Sequence, residues 1–112
     1  MIDPSAFDEL VLGLNHPEGV AWNPLDERVY AGGEGGELYA ATLDGELEVL
    51  GSSGGSMLGV AVDGRGRVYA CDDGRGEIAR WEPRTREITT YARGVAGDAM
   101  DCPNVAAFGP DG

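Results

Sequence analysis

The sequence predicts an all-β chain built as part of a β-propeller, and three observations carry that prediction. The first is an internal repeat. Glu18-Gly19-Val20-Ala21-Trp22, Arg28-Val29-Tyr30-Ala31 and Gly36-Glu37-Leu38-Tyr39 recur as Leu58-Gly59-Val60-Ala61-Val62, Arg67-Val68-Tyr69-Ala70 and Gly76-Glu77-Ile78-Ala79, at steps of 39 to 40 residues. A further copy opens at Pro103-Asn104-Val105-Ala106, which lies over Pro17-Glu18-Gly19-Val20. The second observation is that the repeats consist of short apolar or alternating runs with no sustained helical period. The third is their punctuation by Asp-Gly and Gly-Gly pairs, which favour tight hairpins because those turns need positive φ. A unit of roughly 40 to 45 residues with four short strands is a propeller blade.

The elements follow in order. The first blade is expected to place strands at 18–23, 28–32, 37–42 and 46–50, with turns at Pro24-Leu25-Asp26, Gly32-Gly33-Glu34-Gly35-Gly36 and Asp44-Gly45. The second places them at 58–63, 67–71, 77–81 and 87–91, with turns at Gly64-Arg65-Gly66, Asp72-Asp73-Gly74-Arg75-Gly76 and Pro83-Arg84-Thr85. Residues 9–12 resemble the outermost strands at 46–50 and 87–91, so they read as a strand that closes the ring against its last blade. The expected organisation is therefore one domain, with a closing strand at 1–14, blade 1 at 15–51, blade 2 at 52–94 and the start of blade 3 at 95–112. A closed propeller uses roughly four to eight blades. The chain accordingly reads as the N-terminal part of a longer ring, and its end blades would present apolar faces able to self-associate.

Composition narrows the partners. Eight basic against twenty acidic residues give a net charge of −12, which repels nucleic-acid phosphates and anionic membrane surfaces. Cys71 and Cys102 are the two cysteines. They have neither the number for a disulfide framework nor the spacing for zinc, so they read as reduced thiols. The first 14 residues carry Asp3, Asp8 and Glu9 and no basic, apolar leader, and no apolar run is long enough for a membrane helix. A cytoplasmic location is the expectation.

In a propeller the loop leading into each innermost strand lies at the mouth of the central channel. The repeat aligns Glu18, Leu58 and Asn104 at that point. A carboxylate and a carboxamide at equivalent points of different blades are hard oxygen donors that could converge on a divalent cation. The competing reading is that both cap turns. His16, the one histidine, lies two residues from Glu18 and could approach a substrate as acid or base, although a solvent-facing loop position is the simpler reading. Asp72-Asp73-Gly74 lacks the remaining ligand positions of a calcium loop. Gly32-Gly33-Glu34-Gly35-Gly36 lacks the lysine and helix of a phosphate cradle. Trp22, Tyr30, Tyr39, Tyr69, Trp81 and Tyr91 fall at strand positions, where inter-blade packing is the simpler reading. Cys102 has no adjacent base to activate it.

Pro17-Glu18-Gly19-Val20-Ala21-Trp22, the run from Gly54 to Asp63, and Pro103-Asn104 ahead of Phe108-Gly109-Pro110-Asp111-Gly112 resemble the regucalcin (senescence marker protein)/gluconolactonase family. These are six-bladed, metal-dependent propeller hydrolases that include sugar lactonases and relatives active on phosphoesters. The resemblance runs over residues 9–112 and about the first third of the family domain. It implies that Glu18 ligates a divalent cation, calcium first, with zinc or magnesium as alternatives. It implies that Asn104 contacts substrate or metal, while His16 is a candidate substrate contact by its closeness to Glu18 alone. It also implies a small lactone or ester as substrate, a metal-polarised carbonyl and a metal- or carboxylate-activated water. The family's Arg-x-Asn-Asp-Gly becomes Asp101-Cys102-Pro103-Asn104-Val105 here, without the arginine or the following aspartate. The catalytic base and remaining ligands are expected beyond Gly112, so the chain alone should bind metal weakly and turn over little. Two other readings share the repeat: a strictosidine-synthase-like propeller, and a non-catalytic propeller that scaffolds a partner, for which the apolar Leu58 at a channel position speaks.

Overall fold

The computed structural model describes residues 13–93. The expected closing strand at 9–12, the start of blade 3 at 95–112, Asn104 and Cys102 lie outside the described residues. Within them the chain forms eight strands: β1 Val20–Asn23, β2 Arg28–Gly32, β3 Glu37–Thr42, β4 Leu47–Ser52, β5 Met57–Val62, β6 Val68–Asp72, β7 Glu77–Glu82 and β8 Glu87–Ala92. They make two four-stranded antiparallel meanders, β1-β2-β3-β4 and β5-β6-β7-β8. Each strand pairs with the next across a short turn, as the turn residues demand.

The expected strands lie within a few residues of those observed. The innermost strand of blade 1 begins at Val20 and not at Glu18, because its pairing with β2 ends at Val20↔Ala31. Glu18 and Gly19 are thereby left in the loop ahead of the ladder. The outermost strand β4 runs on to Ser52, where it pairs with Glu37 after a register shift between Leu38 and Tyr39. β7 shows the same irregularity between Ile78 and Ala79. The repeat thus extends to the bulge that bends each blade outward.

The core is the interface between the blades. Tyr30, Leu38 and Ala40 from the first sheet meet Met57, Val60, Val68, Ala70, Ala79 and Trp81 from the second in one buried cluster. Side chains alternate across a strand, so one face of each blade serves this interface. Tyr30 and Trp81 lie with ring centroids 6.0 Å apart across it, which gives these two aromatics the packing role expected of them. Trp22 behaves otherwise. It alternates with Ala21, which packs on the core, and is 45% exposed. Val20 and Val49 are also exposed, and by the same alternation they share the face of blade 1 that points away from blade 2.

A polar lattice ties the far side of the blades together. Glu48 on β4 receives Arg28 at 2.9 Å from its own blade and Arg86 at 2.6 Å from the next. Arg86 also lies over the Trp81 ring, 5.7 Å from its centroid. Glu48 and Arg86 are exposed and Arg28 is half-buried, so each pair is worth only a few tenths of a kcal/mol up to about 1.

Candidate functional site

Glu18 sits in the loop that leads into β1, and that loop is tied down on the β2–β3 turn. The backbone N–H of Glu34 donates to Asn15 O at 2.9 Å, and Asn15 Nδ2 donates to Glu37 Oε2 at 3.1 Å. Asn15 N reaches the Tyr39 hydroxyl at 3.3 Å. His16, with φ of 43°, lies beside Glu34, its Nδ1 3.0 Å from Glu34 Oε2, and both side chains are well exposed. Glu18 itself is exposed and makes no hydrogen bond or ion pair with another described residue. Its carboxylate is held near the inner edge by its backbone and left uncommitted.

The neighbouring repeat position comes up against it. Gly19 follows Glu18 directly, and a Cβ at Gly19 would lie 2.9 Å from Leu58 O and 3.1 Å from Gly59 Cα. The two innermost strands therefore approach backbone to backbone at the aligned positions, and only glycine permits it without displacement. Glu18 and half-buried Leu58 are brought to the same stretch of the inner edge, as the repeat places them.

The loop leading into β5 is held by a different device, which the sequence reading assigned to turn chemistry alone. Asp72, at the end of β6, is fully buried. Its Oδ1 accepts from Ser56 N at 3.0 Å and from Arg75 N at 3.2 Å, while Asp73 N donates to Ser56 O at 2.9 Å. Gly55 is packed so close that a Cβ would fall 2.1 Å from Asp72 Oδ1. The Asp72 Oδ2 atom is buried without a hydrogen-bond partner among the described residues. Asp72 is thus a latch on the second loop, a role visible only once residues 16 apart in sequence are adjacent.

The glycine-rich turn between β2 and β3 works as a connector. Its Gly33 O accepts from Met57 N at 2.9 Å and its Gly36 O from Ser53 N at 3.0 Å, and Ser52 Oγ donates to Gly35 O at 3.1 Å. One turn therefore holds both the loop carrying Glu18 and the loop leading into β5. Glu37 at its end has a carboxyl held below the usual range, first by its own backbone N–H and then by Asn15, with the Gly35 N–H adding to these.

Sequence reasoning missed a second motif that occurs once per blade at the opposite ends of the strands. Asp26 accepts from Arg28 N at 3.2 Å, from Arg28 Nε at 3.0 Å and from the Tyr30 hydroxyl. Asp63 accepts from Arg67 N at 3.0 Å, Arg67 Nε at 2.6 Å and the Tyr69 hydroxyl at 3.1 Å. Burial first, and then the bond to Asp26, push the Tyr30 phenol up to about 12. Burial raises the Asp63 carboxyl, yet the hydrogen bonds from Arg65 N and Arg67 outweigh it and leave the group below the usual range. The signal was present as an aspartate ahead of each Arg-Val-Tyr. Both triads close the β1–β2 and β5–β6 turns and are structural. Cys71 is buried, and burial pushes its thiol up, away from the thiolate that reactivity needs.

Among the described residues no three His, Cys, Asp or Glu side chains come together as a metal-holding group. Glu18 is the one predicted ligand they contain.

No family model and no curated protein matches the chain. Solved structures do. A gluconolactonase from Xanthomonas campestris aligns over 92% of this chain and 35% of its own, at 25% identity and a TM-score of 0.80. A structure provisionally assigned as a gluconolactonase aligns over 94% of this chain and 37% of its own, at 23% identity and a TM-score of 0.77. A chain from a nidogen/laminin complex aligns over 88% of this chain and 38% of its own, at 14% identity and a TM-score of 0.71, a likeness of fold alone. The present chain spans little more than a third of the length of these structures. It is a partial β-propeller, and its likeness to the gluconolactonase-type propellers, first read from the repeated sequence, holds in three dimensions.

Proposed function

We propose that this chain is part of a divalent-metal-dependent hydrolase of the sugar-lactonase type, in which Glu18 is one ligand of a channel-bound cation. The observation that carries the reading is the position of Glu18: an exposed carboxylate without a partner among the described residues, at the inner edge of a gluconolactonase-like propeller. A hard oxygen donor of this kind suits calcium, or magnesium or zinc. The described residues provide one such donor, so the remaining ligands would come from elsewhere in the ring, with Asn104 a proposed contributor. When bound, the cation would polarise an ester carbonyl and lower the pKa of a bound water.

The chain's own residues have distinct parts in this reading. The Asn15–Glu34 and Asn15–Glu37 hydrogen bonds keep the Glu18 loop from swinging away, so its carboxylate is preorganised. Leu58 gives the adjoining wall an apolar surface that keeps water from competing at that side. His16, beside Glu34, stands at the loop's outer limb and would meet a substrate's exposed end, not the metal.

The test is substoichiometric Mn²⁺ titrated into the ¹⁵N-labelled chain. Broadening is expected first at the amides of Glu18, Gly19, Leu58 and Gly59, and Glu18→Gln should abolish it there. Broadening that centres on acidic turns such as Asp44 or Asp73, and is unchanged in Glu18→Gln, would overturn the proposal.

A further inference from the structure

Between the blades, on the side where the loops lead into the innermost strands, lies a groove of about 260 Å³ lined by Ser52, Ser53, Arg75, Glu77, Thr89 and Thr90 over an apolar floor of Ala79 and Ile88. Its central acid is already consumed. Glu77 is 3% exposed. Its Oε1 accepts from Thr90 Oγ1 at 2.9 Å and lies 3.4 Å from Arg75 Nε, and its Oε2 accepts from Arg93 Nε at 3.2 Å. One buried carboxylate therefore meets two guanidinium groups, a pair of cations in an otherwise acidic corner where Asp72 and Asp73 share the turn with Arg75.

The mode of anchoring matters. Arg93 is held by a hydrogen bond through Nε and Arg75 lies at ion-pair distance through the same atom, their side chains are 61% and 45% exposed, and no described residue bonds their Nη groups. A guanidinium fixed at Nε has its planar fork oriented in advance, so part of the ordering cost of binding is already met. The equivalent acid of blade 1, Glu37, instead holds the neutral Asn15 and the Gly35 N–H, and no guanidinium is present there. The feature belongs to blade 2 alone.

We infer that this groove is a binding site for a small oxyanion, the carboxylate or phosphate group of a soluble ligand, held by the Nη donors of Arg75, which no described residue bonds, with Arg93 beside it, and by the hydroxyl of Ser53. It is separate from Glu18 and does not depend on the hydrolase reading. Guanidinium bonds to such groups are charge-assisted, and the bidentate form is the strongest.

The test is an amide chemical-shift titration of the full chain with sodium phosphate, and in a second arm sodium acetate, at ionic strength held constant with sodium chloride. Saturable shifts are expected at Ser52, Ser53, Arg75 and Thr89 in at least one arm, and the stronger arm identifies the ligand class. Arg75→Gln should weaken binding by roughly tenfold or more, and Arg93→Gln should weaken it less. Arg86→Gln, which removes an equally exposed guanidinium far from the groove, should leave it unchanged. Linear, unsaturable shifts in both arms, or equal binding by Arg75→Gln with its spectrum still dispersed, would overturn the site. Should Arg75→Gln lose its dispersion, Arg93→Gln and Ser53→Ala decide, and wild-type affinity in both overturns it equally.

Discussion

Blade 1 and blade 2 follow one four-strand plan, yet they secure the loops into their innermost strands with opposite chemistry. In blade 1 the loop is held by neutral amide groups of Asn15 on a partly exposed Glu37 and on the Gly33–Gly36 turn. In blade 2 it is held by a buried carboxylate, Asp72, at the position where blade 1 has Gly33. The triads at the other end, Asp26-Arg28-Tyr30 and Asp63-Arg67-Tyr69, are alike in both. The lesson is that the shared end of each blade maintains the fold, while the loop end varies, and it is there that a site can differ from blade to blade.

The sharpest way to break the comparison is to remove what joins the blades. Trp81→Ala empties the centre of the inter-blade core, where Trp81 is 2% exposed against Tyr30, and should cost about 3–5 kcal/mol. Trp22→Ala, on the exposed face, should cost a small fraction of that. Urea unfolding followed by tryptophan fluorescence and circular dichroism checks both, and equal losses would show that the core does not lie between the blades.

Asp72→Ala comes next. It strands the Ser56 and Arg75 amides and should cost about 1–3 kcal/mol. Asp72→Asn keeps an acceptor for those amides and should recover most of the loss. Hydrogen exchange at Ser56 should rise in the alanine variant while exchange at Glu34, which secures the blade 1 loop, stays slow. Joint acceleration of both would mean that the two loops are not secured independently.

The smallest effect is the acid response of blade 1. The folded Glu37 carboxyl sits below its ordinary value of 4.5, so its contribution to stability is fully present above that value. It is lost as pH falls through the lowered folded value. Because this corner is near the surface the contribution should be well under about 1 kcal/mol. The protection factor of the Gly35 amide, taken against its intrinsic exchange rate at each pH, should fall as the pH drops below 4.5, and Glu37→Gln should remove that change in protection.

Much of this architecture was legible because it is local. Asp44-Gly45 and the glycine-rich turns define hairpins within a few residues of chain, and strand alternation selects one face for burial, so the eight strands are legible in the sequence itself. The aromatic positions were less legible. Tyr30 and Trp81 are inter-blade, whereas Trp22 and Tyr91 are exposed, since alternation tells which residues share a face but not which face meets a neighbour. Of the candidate site, Glu18 and Leu58 could be aligned by the repeat, and their approach through Gly19 and Gly59 follows that alignment.

The sequence by itself determined the repeat, the order and pairing of the strands and the equivalence of Glu18 with Leu58, because each follows from turn chemistry and periodicity along the chain. Only the tertiary structure decided which charges meet. Glu48 joins Arg28 to Arg86, Asp72 latches Ser56, and Glu77 gathers Arg75 and Arg93. Those partners are set by how one twisted sheet packs on the next and by how each turn aims its side chains, and a linear pattern of acids and bases does not encode that geometry.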